Sequence, residues 1–338
     1  MNATPTSPVF TVEQVTTGAL MMVKGQLPPV ATTPFLSVTW MLKVPEAVGV
    51  PVMAPVEAFR VRPAGSVPTT AKVYGATPPV TTMAGLLKGT LTSPELTVEQ
   101  VLEQFDALAA GNDHFEFYWF PYGKNALVKR NNRVAGEGAP AVMPGWRRFL
   151  EYEVMENAAF GVLCRAGRAV PAAVKPLNRL AAASLSKRSY SALSHEVFVT
   201  SRRVKFVESE YAVPVASLLD VLAELRAGVA RLTDPVMFPV EIRVAAADDI
   251  WLSTAYGRDS AYVAIHQYLG MPYQEYFKLF ESIAVSAGGR PHWGKMHTRD
   301  AAYLAGAYPR FADFLAVRDE TDPSRVFANP YLEQVFGS

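Results

Sequence analysis

The sequence predicts an α+β fold in which an antiparallel sheet is flanked by helices. Three observations carry that expectation. Residues 114–120, 238–244 and 262–268 alternate apolar and polar side chains, which is the two-residue period of a strand. The first of these runs leads through the turn-forming stretch Pro121-Tyr122-Gly123-Lys124-Asn125 into a second strand-like run, 126–133, the pattern of a hairpin. Between such runs lie segments with helical spacing of apolar residues, Leu218, Leu219, Leu222, Leu225 and Val229 among them. Hairpins mixed with packed amphipathic helices point to α+β rather than to a parallel βαβ sheet.

Composition sets the limits. A chain of 338 residues, half of them apolar, can bury a sizeable core in one large or two modest domains. A net charge of +1 gives no electrostatic basis for binding nucleic acid. The single cysteine, Cys164, excludes an intrachain disulfide framework and fits a reducing, cytoplasmic compartment. It lies in a helical apolar pattern, so it reads as a packed thiol. No apolar run approaches the ~20 residues that span a bilayer, the first residues lack the basic start of a secretion signal, and no metal site is read.

The elements follow in order. Residues 1–94 hold 13 of the 26 prolines, only nine charged residues and no sustained period. Little regular structure is expected there, since proline breaks helices and is barred from central strands. Only 35–42 and 71–74 read as strands. Thr97 with Gln100 is a capping-box signal opening a helix that Gly111 closes. His114 and Glu116 share one face of the strand that follows, read as a solvated face. Helices are expected over 146–167 and 172–186, strands over 195–200 and 204–213, and a helix after Pro214. Glu208 and Glu210 are read as an exposed acidic edge. Residues 272–287 form an amphipathic helix with Tyr276, Phe280 and Ile283 inward. Thr298 is the expected cap of a short helix, and Pro309 opens another.

The chemistry concentrates late. Gly288-Gly289-Arg290-Pro291-His292-Trp293-Gly294-Lys295-Met296-His297 packs an imidazole, an indole and an ammonium behind a glycine pair, either a site or an ordinary surface loop. In 238–244, Glu241 and Arg243 face one way. In 262–268, Tyr262, Ala264, His266 and Tyr268 share a face. If the two strands neighbour each other, Glu241, Arg243 and His266 line one polar pocket. The alternative is a surface ion pair and a structural histidine.

His292-Trp293-Gly294-Lys295 resembles the C-terminal signature of the FAD-linked sugar-1,4-lactone oxidases, a family of arabinono-lactone and gulono-lactone oxidases or dehydrogenases with alditol oxidases as relatives. Residues 114–121, 129–132, 206–214, 241–243, Asp322-Pro323 and Phe327-Ala328-Asn329 match in the same order, from about Leu96 to the end. The resemblance implies the cap, or substrate, domain of a vanillyl-alcohol-oxidase-like flavoenzyme over 95–287. It also implies a signature loop and helical tail over 288–338 that pack on a flavin domain. The implied activity is oxidation of a CH–OH group of a sugar lactone or polyol by hydride transfer to flavin N5, with electrons passing to dioxygen or another acceptor and a place in ascorbate biosynthesis. The implied catalytic residues are Lys295, His292 and His266. Glu241 and Arg243 bind substrate, and His292, Trp293 and Lys295 bind FAD. Peripheral membrane association stays compatible with the resemblance. One feature departs from it. Residues 1–94 contain no Gly-x-Gly-His-Ser-like run and no histidine precedes His114, so the flavin domain is expected to be missing or replaced. The alternative reading is therefore a non-catalytic truncated remnant, a cap-like module without FAD binding.

Overall fold

The computed structural model describes residues 21–24, 39–42, 87–93, 95–134 and 141–337. The chain divides into two compact units, Met1–Gly85 and Leu86–Ser338. In the first, strand β1 (Met21–Lys24) pairs antiparallel with β2 (Thr39–Leu42), Met21 opposite Leu42. The strand expected at 35–42 thus has its second half in place. The stretch 71–74 and most of the segment expected to be irregular lie outside the described residues.

The second unit opens with β3 (Leu87–Ser93), which corrects the expectation of an irregular chain up to 94. No proline falls between Pro79 and Pro94, so this run is free to pair on both edges. Helices α1 (Val98–Glu103) and α2 (Phe105–Ala110) follow, and the capping box of Thr97 and Gln100 is complete. The hairpin β4 (His114–Trp119) and β5 (Ala126–Arg133) comes next. Then α3 (Gly145–Arg148) runs without a break into a wide π-type helix, Phe149–Ala159, and on into α4 (Phe160–Ala169). After a short turn, α5 spans Val174–Ala183.

The next elements depart from the sequence reading. The chain forms strand β6 over Arg188–Leu193 and helix α6 over Ser194–Phe198, where a strand was expected at 195–200. β6 uses the alternation at Tyr190 and Ala192, which are buried. The chain then leaves the sheet, and one helical turn buries Val197 alone. Next come β7 (Phe206–Pro214), α7 (Leu218–Val229), β8 (Val240–Ala245), β9 (Ser260–Tyr268), α8 (Gln274–Ser286) and the two-residue β10 (Arg290–Pro291). The tail adds α9 (Ala301–Ala307), α10 (Phe311–Thr321) and α11 (Pro330–Phe336). Asp300, not Thr298, caps α9, because the Thr298 hydroxyl is spent on Glu281.

The eight described strands of this unit form one sheet in the order β10-β7-β9-β8-β4-β5-β3-β6, with every neighbouring pair antiparallel. Its two faces differ. Phe115, Phe117 and Trp119 of β4, Val240 and Ile242 of β8, Val263 and Ile265 of β9 and Tyr211 of β7 meet α1, α2, α7 and α8 in the main core. The inward residues of α8 include Tyr276, Phe280 and Ile283, as its period requires, and each buried side chain of this size contributes about 1.5–3 kcal/mol. The opposite face is polar. One end of it is roofed by the π-type helix, α4 and α5, with a small apolar cluster of Cys164, Val174, Met237, Phe238 and Met271 at their feet. The Cys164 thiol is fully buried and burial raises its pKa to about 12, consistent with a packed thiol. No helix among the described residues is long and apolar enough to cross a membrane.

Candidate functional site

Register alone assembles the polar face. Side chains directly opposite each other in an antiparallel pair project to the same side. Glu208 of β7 lies opposite His266 of β9. One step along, Glu210 lies opposite Ala264, Ala264 opposite Glu241 of β8, and Glu241 opposite Tyr118 of β4. A third row carries Tyr262, Arg243, Glu116 and Lys129. The strands carrying Glu241, Arg243 and His266 are therefore neighbours, as the polar-pocket reading required.

The small side chain of Ala264, fully buried, leaves room for a guanidinium. Arg243 Nη2 donates to Glu210 Oε1 at 2.6 Å, and its Nε lies 3.5 Å from Glu241 Oε1. Burial disfavours the Arg243 charge, but Glu210 and Glu241 outweigh it and raise its pKa. Glu210 is 1% exposed, and its Oε2 has no hydrogen-bond partner among the described residues. Glu241 is more loosely held, with Arg202 Nη1 at 4.0 Å on its far side. Tyr118 beside it keeps its phenol protonated, since burial and then Glu116 and Glu241 push its pKa well up.

Glu208 joins the loop to the sheet. Lys295 Nζ donates to Glu208 Oε2 at 2.5 Å, while His266 Nε2 lies 3.2 Å from Glu208 Oε1, off the line of a hydrogen bond. Burial opposes ionisation of Glu208, but the contacts with His266 and Lys295 prevail and lower its pKa to about 2. His266 Nδ1 sits 3.1 Å from the Pro239 carbonyl. A carbonyl only accepts, so Nδ1 carries the proton. The ring is 3% exposed and packs edge-on against Phe206.

The acidic edge expected at Glu208 and Glu210 is thus overturned. The loop after α8 adds β10 outside β7, so β7 is an interior strand and both carboxylates face cations. Gly288 with φ of 70° turns the chain, and Gly289 lies so close to α8 that a Cβ there would meet the Ala284 carbonyl oxygen at 2.5 Å. The loop then continues along β7. The His292 amide donates to the Glu210 carbonyl and the Met296 amide to the Glu208 carbonyl. His292 is half-buried, and its Nδ1 accepts from the Gly294 amide at 3.0 Å, which leaves Nε2 as the donor of the neutral ring. Trp293 turns away from this face. Its Nε1 donates to the Leu252 carbonyl, and its ring lies on Tyr308 and Phe336.

A buried knot fixes the base of the loop. Glu281 of α8 accepts from the Tyr211 hydroxyl, the Thr298 amide and hydroxyl, and Arg299. Phe327 and Tyr331 are exposed in the tail.

Beside Glu241 and His266 a cavity of about 250 Å³ opens beneath the helical roof. Sequence reasoning missed Glu208, Glu210, Tyr118 and Arg202. A signal for the first two was present, because residues two apart on a strand share a face.

Residues 87–335 match the model of the family described as D-arabinono-1,4-lactone oxidase. L-gulono-1,4-lactone dehydrogenase of Mycobacterium tuberculosis is 43% identical over 241 residues, covering 71% of this chain and 56% of that protein. L-gulonolactone oxidase of Mus musculus is 31% identical over 252 residues, covering 72% and 56%. Alditol oxidase of a Streptomyces species is 36% identical over 135 residues, covering 38% and 31%. The chain therefore spans little more than half the length of the first two. Among solved structures, a solvent-stable cholesterol oxidase superposes with a TM-score of 0.59 at 17% identity, covering 75% of this chain and 60% of that one. A cholesterol oxidase from B. sterolicum gives 0.57 at 15%, covering 74% and 60%. At such identities the likeness speaks for the fold alone.

Proposed function

Because the chain belongs to the D-arabinono-1,4-lactone oxidase family, we propose that it oxidises a CH–OH group of a sugar lactone or polyol with a bound FAD as hydride acceptor. One observation carries the reading. On a single sheet face, an ammonium pinned by an ionised carboxylate stands beside a guanidinium held between two carboxylates, with a cavity alongside.

The donor set fits the ring end of a flavin. Lys295 supplies a cation and His292 an N–H donor, and both suit a group that gains negative charge on reduction. When bound, the flavin supplies the two-electron acceptor. The chain's own residues then divide the remaining tasks. Glu208, ionised at any pH well above 2, keeps the Lys295 ammonium in place, and that cation stabilises negative charge on the reacting oxygen. His266 Nδ1 donates to the Pro239 carbonyl, and its Nε2 has no hydrogen-bond partner among the described residues and borders the cavity beside Glu241, so this nitrogen is the acceptor for the proton of the reacting hydroxyl. Arg243 and Glu241 offer a donor and an acceptor to substrate hydroxyls. Trp293, packed into the tail, holds the loop that carries His292 and Lys295.

The test is to incubate the purified protein with FAD, then assay L-gulono-1,4-lactone, D-arabinono-1,4-lactone and alditols with dioxygen and with an artificial electron acceptor. Turnover of one of them, lost in Lys295→Ala, supports the proposal. A flavin-loaded protein that oxidises none of them overturns it. A second reading is a ligand-binding module without redox turnover. Lactone binding without flavin retention would support that reading instead.

A further inference from the structure

The cavity beneath the helical roof is not centred on the charged cluster. It begins at His266 and Glu241 and runs away from Arg243, Glu210 and Lys295, toward β5 and β6. Leu127 and Tyr118 form its floor, and Met155, Phe160, Leu163 and Leu185 are in its roof. The polar groups at its far end are already committed. Arg188 pairs with Glu156 at 2.7 Å, Ser186 donates to Glu151 at 2.7 Å, and the Tyr152 and Tyr190 hydroxyls share a hydrogen bond of 2.9 Å. Apart from Glu241, Arg202 and the unpartnered His266 Nε2 at its mouth, a ligand entering this lobe finds few free donors or acceptors and mostly aromatic and aliphatic wall. A polyhydroxylated chain placed there would lose its water without gaining partners, at a cost for every hydroxyl left unpaired. An alkyl chain would gain by leaving water.

We propose that this lobe binds an apolar substituent of the substrate, so that the molecule oxidised carries a hydroxylated head at Arg243 and Glu241 and an alkyl tail under the π-type helix and α4. The inference rests on the oxidoreductase reading for the head and on the cavity alone for the tail. At about 30 Å³ for each water in the liquid, the volume of about 250 Å³ corresponds to a tail of a few carbons rather than a sterol.

The test measures binding and so does not depend on turnover. Propane-1,2-diol, hexane-1,2-diol and octane-1,2-diol share one head and differ only in tail length, and their affinities for the purified protein are read by ligand-observed NMR. Full burial gives about fourfold tighter binding per methylene, so a rise of two- to fourfold for each carbon is expected up to the octanediol. Ala159→Trp, which fills the lobe from its roof, should abolish the dependence on chain length and leave propanediol binding unchanged. Leu163→Asn serves as a second variant, with circular dichroism confirming that both fold. Affinity independent of chain length, or a dependence that survives both substitutions, overturns the proposal. If lactone turnover persists in that case, only the tail assignment falls. If no lactone or polyol is oxidised while the chain-length dependence holds, the oxidoreductase reading falls and the lobe stands.

Discussion

Lys295 Nζ reaches Glu208 Oε2 across 2.5 Å, although 87 residues separate the two in sequence. The contact ties the signature loop to an interior strand. It also gives His266, on the other side of the same carboxylate, a link to the loop that no local pattern contains.

The Glu208 carboxylate makes stability depend on pH. Its pKa in the folded protein is about 2, below its ordinary value of 4.5. The stabilisation is therefore fully present above pH 4.5 and is lost as the pH falls toward 2. After discounting for partial solvent access, it amounts to about 2 kcal/mol. Glu208→Gln should melt earlier than the parent at pH 7, with the gap closing below pH 4. A gap that stays constant from pH 7 to pH 3 would show that the carboxylate's charge does not matter.

Lys295→Ala should lower turnover by about 100- to 1,000-fold, the scale of losing one charge-stabilising donor. Because Lys295 helps hold the Glu208 charge, the melting temperature should fall as well, by no more than in Glu208→Gln. Lys295→Arg should recover part of the loss if charge alone is needed. Turnover equal to the parent's would remove this side chain from the reaction.

Ala264→Leu should drive Arg243 away from Glu210, because the new side chain occupies the row between Glu210 and Glu241. Overpacking of this kind costs about 1–3 kcal/mol. The expected kinetic signature is a rise in KM for polyhydroxylated substrates. An unchanged KM in a folded variant would show that the guanidinium does not hold substrate.

Glu281→Ala should loosen the base of the loop. It leaves the Tyr211 hydroxyl and Arg299 without their shared acceptor, a loss of about 3–5 kcal/mol for a buried charge network. Burial works against the Glu281 charge, but Thr298, Tyr211 and Arg299 hold its pKa below the ordinary value. Hydrogen exchange should speed up across residues 290–298 before it does elsewhere. Uniform acceleration over the whole unit would place the effect in global stability instead.

Much of this site was legible in the chain. The period of β8 put Glu241 and Arg243 on one face, that of β9 put His266 and Ala264 on one face, and the capping box marked the start of α1. Glu208 and Glu210 were misread because the same period that pairs them cannot say which edge of β7 is covered. The strand at Leu87–Ser93 was hidden by averaging over a proline-rich stretch that ends before it. The helix at Ser194–Phe198 was hidden by β-branched residues that follow a strand already complete at Leu193.

By itself the sequence determined most of the strands and helices and which side chains share a face, since both follow from backbone geometry within a few residues. Only the tertiary structure decided which charges meet. Whether a carboxylate is an exposed edge or the buried anchor of a distant lysine depends on which strand lies alongside it. That choice is made by burying the apolar faces of α7 and α8 against the sheet, not by any interaction the charged residues make with their neighbours in sequence.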